Sequence, residues 1–226
     1  MGPIYWYNGL IILGMLLSIP YFFIASKENR IIHTIVFVKL LVISATEFRS
    51  KQLGSMGINN YFIANTGYLL IGISLIFLYF YFLIDRNKYI LILWVIYLFF
   101  ILMNSLYSQP ITTSFQNYTW ALSSLMIIGI SLYFFYSIFS NNRFENKNLI
   151  SIPSFWIVSF LMFFYACSFL YFLSFNFSFD SMGMQLFSQL NFLIKILGAA
   201  MYLVMGLAFY APLVFKSDVK LNDKYC

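Results

Sequence analysis

Charge is what this sequence has least of. Only 9% of its 226 residues are charged, and it holds one histidine and two cysteines. The lone His33 excludes multi-histidine metal centres and zinc helices with paired histidines; it reads as an interfacial ring near one end of a span. Cys167 falls in an apolar run and Cys226 in a basic tail, so neither a disulfide between them nor a thiolate metal site is expected, and a final Cys does not fit a prenylation box. The seven acids, Glu28, Glu47, Asp85, Glu145, Asp180, Asp218 and Asp223, all read as loop or span-end residues. That leaves a carboxylate proton relay or an aspartyl intramembrane protease without its working groups. There is no glycine-rich phosphate loop and no basic stripe of the kind nucleic-acid binding needs. No cofactor, metal or nucleic acid is expected.

What is present is hydrocarbon. With 62% hydrophobic residues, 22% aromatics and a mean hydropathy of +0.85, the chain has too little polar surface to cover a soluble domain of this size. A bilayer core of ~30 Å takes about 20 helical residues per crossing. Seven runs approach that length: Ile4 to Ala25, Ile31 to Glu47, Tyr61 to Ile84, Tyr89 to Tyr107, Phe115 to Phe139, Phe155 to Phe175 and Leu186 to Phe215. They are continuous rather than alternating, which predicts helices and not barrel strands. The expected fold is therefore all-α, a polytopic seven-transmembrane-helix bundle over residues 1–215 with a short cytoplasmic tail at 216–226. The second run barely spans and is interrupted by Lys39. The sixth has the clearest start, with Ser151 placed to cap it and Pro153 at its first turn.

Basic residues orient the bundle. One side holds Lys27, Arg30, Arg86, Lys88, Arg143, Lys147, Lys216, Lys220 and Lys224, the other only Arg49 and Lys51. By the positive-inside rule the richer side is cytoplasmic, which places the N-terminus outside and requires an odd number of spans. The first residues lack a basic n-region and a small-residue cleavage site, so the first helix is expected to stay as an anchor. The loops are too short for a soluble core, and the partners expected are the lipid bilayer, a cytoplasmic or membrane signalling protein, and a small anionic or amphiphilic ligand.

Two lysines lie inside spans, where a charge costs about 2.5–3.5 kcal/mol on insertion scales. His33, Lys39, Ser44, Thr46 and Glu47 share one broad helical face. In the last span Ser188, Asn191, Lys195, Gly198, Tyr202 and Gly206 form a polar or small stripe at three-and-four spacing. Counted from the run ends, Lys39 and Lys195 both fall in the outer half and come within reach of one cavity. The pocket then expected has Lys39 and Lys195 as cationic walls and Glu47 as counter-charge, lined by Asn65, Tyr68, Asn104, Asn191 and Tyr202. The alternative keeps these residues structural: Lys39 snorkels to Glu47, and Lys195 satisfies carbonyls of a broken turn. A retinal Schiff base at Lys195 is disfavoured, because it needs a buried carboxylate as counter-ion.

Several phrases in the second half resemble a family of small seven-helix inner-membrane proteins of Bacteroidota, in which such a bundle sometimes precedes a histidine-kinase or DNA-binding output domain. They are Asn104-Ser105 with Gln109-Pro110, Phe115-Gln116-Asn117-Tyr118-Thr119, Leu122-Ser123-Ser124, and Ser131 to Tyr136. Pro153-Ser154-Phe155-Trp156-Ile157 with Tyr165, and Asn191 with Lys195, follow. The resemblance implies a sensory or accessory membrane module in a bacterial inner membrane, with no catalytic residues to carry over, and draws attention to Asn104, Gln109, Tyr118, Trp156, Asn191 and Lys195. Thr66-Gly67-Tyr68 departs from the Glu that this family often carries in its third helix. The function expected is ligand sensing or partner regulation, with transport of an anionic or amphiphilic solute as the alternative and a membrane lipid enzyme third.

Overall fold

The computed structural model describes residues 6–24, 27–140, 148–174 and 181–215. Every regular element among them is helical. In chain order they are α1 (Trp6–Ile24), α2 (Lys27–Ser55), α3 (Tyr61–Leu83), α4 (Lys88–Tyr107), α5 (Asn117–Ser140), α6 (Pro153–Ser174) and α7 (Ser181–Leu207). Short turns at Ala208–Tyr210 and Ala211–Val214 prolong α7. All seven are long and apolar enough to cross a membrane. The tail at 216–226 lies outside the described residues.

Local chemistry sets the breaks. Pro20 has no N–H for the helical ladder, and α1 passes it on tighter bonds, Ile19 N to Leu16 O at 3.2 Å and Phe22 N to Ile19 O at 3.1 Å. Asp85 and Arg86 adopt left-handed backbone (φ 47° and 57°) in the turn between α3 and α4. Asn87 then caps α4, its side chain accepting from Tyr89 N at 2.9 Å. Before α6, Ser151 does not play the capping part expected of it: its hydroxyl donates back to Asn148 O at 2.6 Å within a single tight turn. Pro153 does open the helix.

The largest departure is α2. The helix does not stop at Glu47 but runs through Arg49, Lys51 and Gln52 to Ser55, so the run that looked too short forms the longest helix. Arg49 Nη1 donates to Gln52 Oε1 at 2.6 Å, satisfying polar groups along the surface of its last turns.

Successive helices pack antiparallel. Asn8 meets Glu47, Trp94 meets Ser74 and Asn104 meets Thr119 across successive pairs. Thr46 lies against Gly67, and Phe164 against Gly198. With an odd number of helices, α7 must return parallel to α1, and it does: Tyr210 donates its hydroxyl to Leu17 O at 2.8 Å at one end, while Lys195 lies over Tyr7 at the other. Between them the helices touch through backbone. Gly206 packs on the carbonyl of Gly14, and a Cβ on Gly14 would lie 2.6 Å from the Tyr202 carbonyl oxygen. Small residues permit this approach where lipid supplies no hydrophobic drive between helices.

The interior is aromatic and aliphatic, with Tyr97, Tyr165, Phe77, Phe80, Phe134 and Ile127 fully buried. The outward face is just as apolar: Phe23 is 88% exposed and Phe139 71%. An apolar exterior around an apolar core is what a bundle surrounded by hydrocarbon requires.

Gly14→Val is expected to destabilise the bundle by about 1–3 kcal/mol, read as a lower thermal midpoint in detergent. Gly129→Ala, where an added Cβ meets nothing within 4 Å, should leave it unchanged or raise it.

Candidate functional site

A partly open cleft of about 210 Å³ lies toward the end of the bundle at which α1 begins. α1 supplies Tyr7, α2 Glu47, α3 Tyr68, α5 Trp120, and α7 Lys195 and Tyr202; Phe115, Phe164 and Phe172 add apolar wall. It is smaller than the ~300–1,000 Å³ pockets of drug-sized ligands and suits a headgroup or small solute.

Glu47 stands eight residues before the end of α2 at Ser55, roughly 12 Å of helical rise. Glu47 therefore lies within a helix and not in the loop that follows it. Asn8 Nδ2 donates to Glu47 Oε2 at 2.8 Å, and Tyr68 lines the cleft with this carboxylate. Both neighbours are neutral.

Lys195 lines the cleft with its ammonium 6.0 Å from the Tyr7 ring centroid. Lys39 does not line it. The longer α2 places Lys39 sixteen residues before Ser55, about 24 Å of rise, past the midpoint of the helix as counted from that end. It is 3% exposed, with Nζ 3.4 Å from Gly72 O and 5.7 Å from the centroid of Tyr202. Lys39 therefore pairs with a backbone carbonyl and not with Glu47, and Tyr202 stands between it and the cleft.

That carbonyl belongs to an irregularity no residue pattern announced. Over Asn65–Ile73 the α3 backbone opens into wide, π-type turns, a feature frequent at functional sites. Gly67 and Gly72 within it let Thr46 and Ile43 of α2 pack close, and the same approach brings Lys39 to Gly72.

Three further expected pocket residues lie outside the cleft lining. Asn65 donates to Ile111 O at 2.9 Å and Ser114 O at 2.8 Å and accepts from Gln116 N at 3.2 Å. Asn104 donates to Thr119 Oγ1 at 2.9 Å and Gln109 Oε1 at 3.2 Å. Together they clamp the 108–116 loop; Gln109 and the backbone N–H of Tyr118 join the same network. Asn191 is half-buried on α7 and outside the cleft lining. Trp156 donates to Ile150 O at 2.8 Å at the far end.

His33 is also unlike its expectation. It is fully buried among Tyr21, Phe22 and Phe209, with Nε2 2.9 Å from Ser18 Oγ and 3.1 Å from Ser18 O. It thus meets the backbone beside Pro20. The Ser18–His33 contact superficially resembles a nucleophile–base pair, but both residues are 0% exposed and lie outside the cleft, so no substrate reaches them.

Trp120, Tyr7 and Asn8 are the site residues that sequence reasoning missed. Trp120 is 7% exposed, stacks on Tyr165 at 6.2 Å, and its indole N–H is buried without a partner among the described residues. Searches against protein-family models, characterised proteins and solved structures find no match to this chain. The class its own geometry defines is a seven-helix bundle of membrane-spanning length with an aromatic, charged cleft.

The two kinds of polar residue should separate on substitution. Asn65→Ala leaves loop carbonyls unsatisfied and is expected to cost about 1–3 kcal/mol, whereas Lys39→Met removes a buried charge with little loss of packing and should leave the thermal midpoint level or higher.

Proposed function

We propose that this protein is a ligand-sensing multi-pass module of a bacterial inner membrane. It binds a small anionic or amphiphilic molecule in the cleft and passes the event to a membrane or cytoplasmic partner through α1, α2 and α7. The observation that carries this is the convergence of Tyr7, Glu47, Tyr68, Trp120, Lys195 and Tyr202, from five helices, on one cleft. A lysine and a carboxylate in a membrane-spanning bundle mark function by default, because each is costly to keep there. The resemblance carried by Asn104-Ser105, Gln109-Pro110 and the Asn191/Lys195 pair supports a sensory module.

The charge distribution supports the N-terminus outside and the tail in the cytoplasm, which opens the cleft toward the outer half. Signalling needs a ligand that favours one of two packings. The wide turns of α3 and the buried Lys39 behind Tyr202 supply the adjustable element: a ligand pressing on Tyr202 bears on Lys39, and Lys39 on Gly72.

One observation favours transport as the second reading. A locally unwound helix beside a buried cation is the kind of discontinuity carriers use near the bilayer midplane. Uptake of an alkyl phosphate or a small organic anion into vesicles reconstituted with the purified chain separates the two; a sensor shows binding and no flux.

Phosphatase fused after Asn59 should be active and fused after Arg86 inactive; the reverse pattern overturns the orientation. An alkyl phosphate in excess should raise the thermal midpoint of the wild-type chain by mass action, by about 3 kcal/mol of stability at a hundred times its dissociation constant. Lys195→Gln and Tyr202→Leu should each abolish most of that rise. A rise undiminished in both variants would place the binding outside the cleft.

A further inference from the structure

We infer that the cleft is built for a zwitterion, its ammonium seated at Glu47 between Tyr68 and Tyr202 and its phosphate or carboxylate seated at Lys195. This rests on the cleft being a ligand site, as proposed above, and names the ligand class. Glu47 and Lys195 line the same cleft of about 210 Å³ and are not ion-paired with each other. Each has a neutral neighbour instead: Glu47 accepts from Asn8 and lines the cleft with Tyr68, while the Lys195 ammonium, on an exposed position of α7, lies over the Tyr7 ring.

The unused capacity has a sign at each position. A carboxylate has about four acceptor positions, of which Asn8 takes one, so Glu47 still accepts from a cation. The Lys195 ammonium makes no hydrogen bond among the described residues and keeps its donors for an anion. Tyr68 and Tyr202 give the ammonium aromatic faces beside the acid, the combination that recognises organic ammonium ions. A purely anionic ligand would bring like charge to Glu47, and a purely cationic one to Lys195. A molecule carrying both charges satisfies both.

Such chemistry comes from a phospholipid headgroup of the phosphoethanolamine or phosphocholine kind, or from a free zwitterionic solute. The full chain, purified in a maltoside detergent, is titrated with dodecyl phosphocholine, dodecyl phosphate and dodecyl trimethylammonium, and tryptophan fluorescence is followed. The zwitterion should bind at least about tenfold more tightly than either singly charged amphiphile. Glu47→Gln should erase its advantage over the phosphate, and Lys195→Gln its advantage over the trimethylammonium. Displacement by soluble phosphocholine assigns the site to a free solute, and failure of the soluble head to displace assigns it to a lipid-borne one; both support the zwitterion. Dodecyl phosphate binding as tightly as the zwitterion in the wild-type chain would overturn the inference and leave the sensing cleft standing as an anion site. Absence of binding by all three amphiphiles would overturn both.

Discussion

The backbone contact between α1 and α7 is what the remainder of the bundle rests on. Gly14 and Gly206 let two parallel helices meet without side chains between them, and that closes the ring of seven. It also fixes the cleft. Counting back along α7 from Gly206, Tyr202 sits one turn above the contact and Lys195 about two further turns, which brings them beside Ile11 and Tyr7 of α1. A bulkier residue at either glycine would push α7 outward and carry two of the six functional side chains with it.

Several longer polar side chains inside the bundle follow one pattern. An apolar surrounding offers no water to a buried donor, which favours an acceptor within the protein. Short hydroxyls take a carbonyl one turn back in ordinary helix, as Ser124 and Ser131 do, whereas longer side chains need carbonyls that are not already engaged. The bundle supplies them by breaking regularity: Pro20 interrupts α1, and His33 contacts the carbonyl of Ser18 beside it. The wide turns of α3 present the carbonyl of Gly72, and Lys39 points at it. Asn65 and Asn104 do the same for the exposed carbonyls and side chains of the α4–α5 loop. In each case the irregular backbone and the polar side chain explain one another.

This pattern also explains what the residues alone disclosed. The seven helices were legible because each is a long apolar run bounded by charge, and their bounds fall within a few residues of those expected, α2 excepted. There the polar sequence Glu47, Arg49, Lys51 and Gln52 looks like a loop, although a helix emerging from the apolar zone carries just such residues on its last turns. The helix continues about two turns past Glu47, and Lys39 lies past its midpoint as counted from Ser55. In the site, Glu47, Tyr68, Lys195 and Tyr202 come together as their helical faces implied. Asn65 and Asn104 do not, since a polar position on a helix face announces a partner without saying whether it is a ligand or a loop. Tyr7 and Trp120 were invisible for a compositional reason: among 28 Phe, 18 Tyr and four Trp, no single aromatic stands out.

The division of labour between the two lysines bears on how binding becomes a signal. Lys195 faces the cleft and can respond to a ligand's charge directly, whereas Lys39 is sealed behind Tyr202 and senses only that ring and one carbonyl. A 3.4 Å contact is a long one for an ammonium, and the Tyr202 ring is the other neighbour described for it. The carbonyl it touches lies in wide turns whose alternative is ordinary helix. In the sensor proposed above, a ligand that favours one position of Tyr202 would favour one packing of α3 against α2, which is the differential stabilisation that such a module requires.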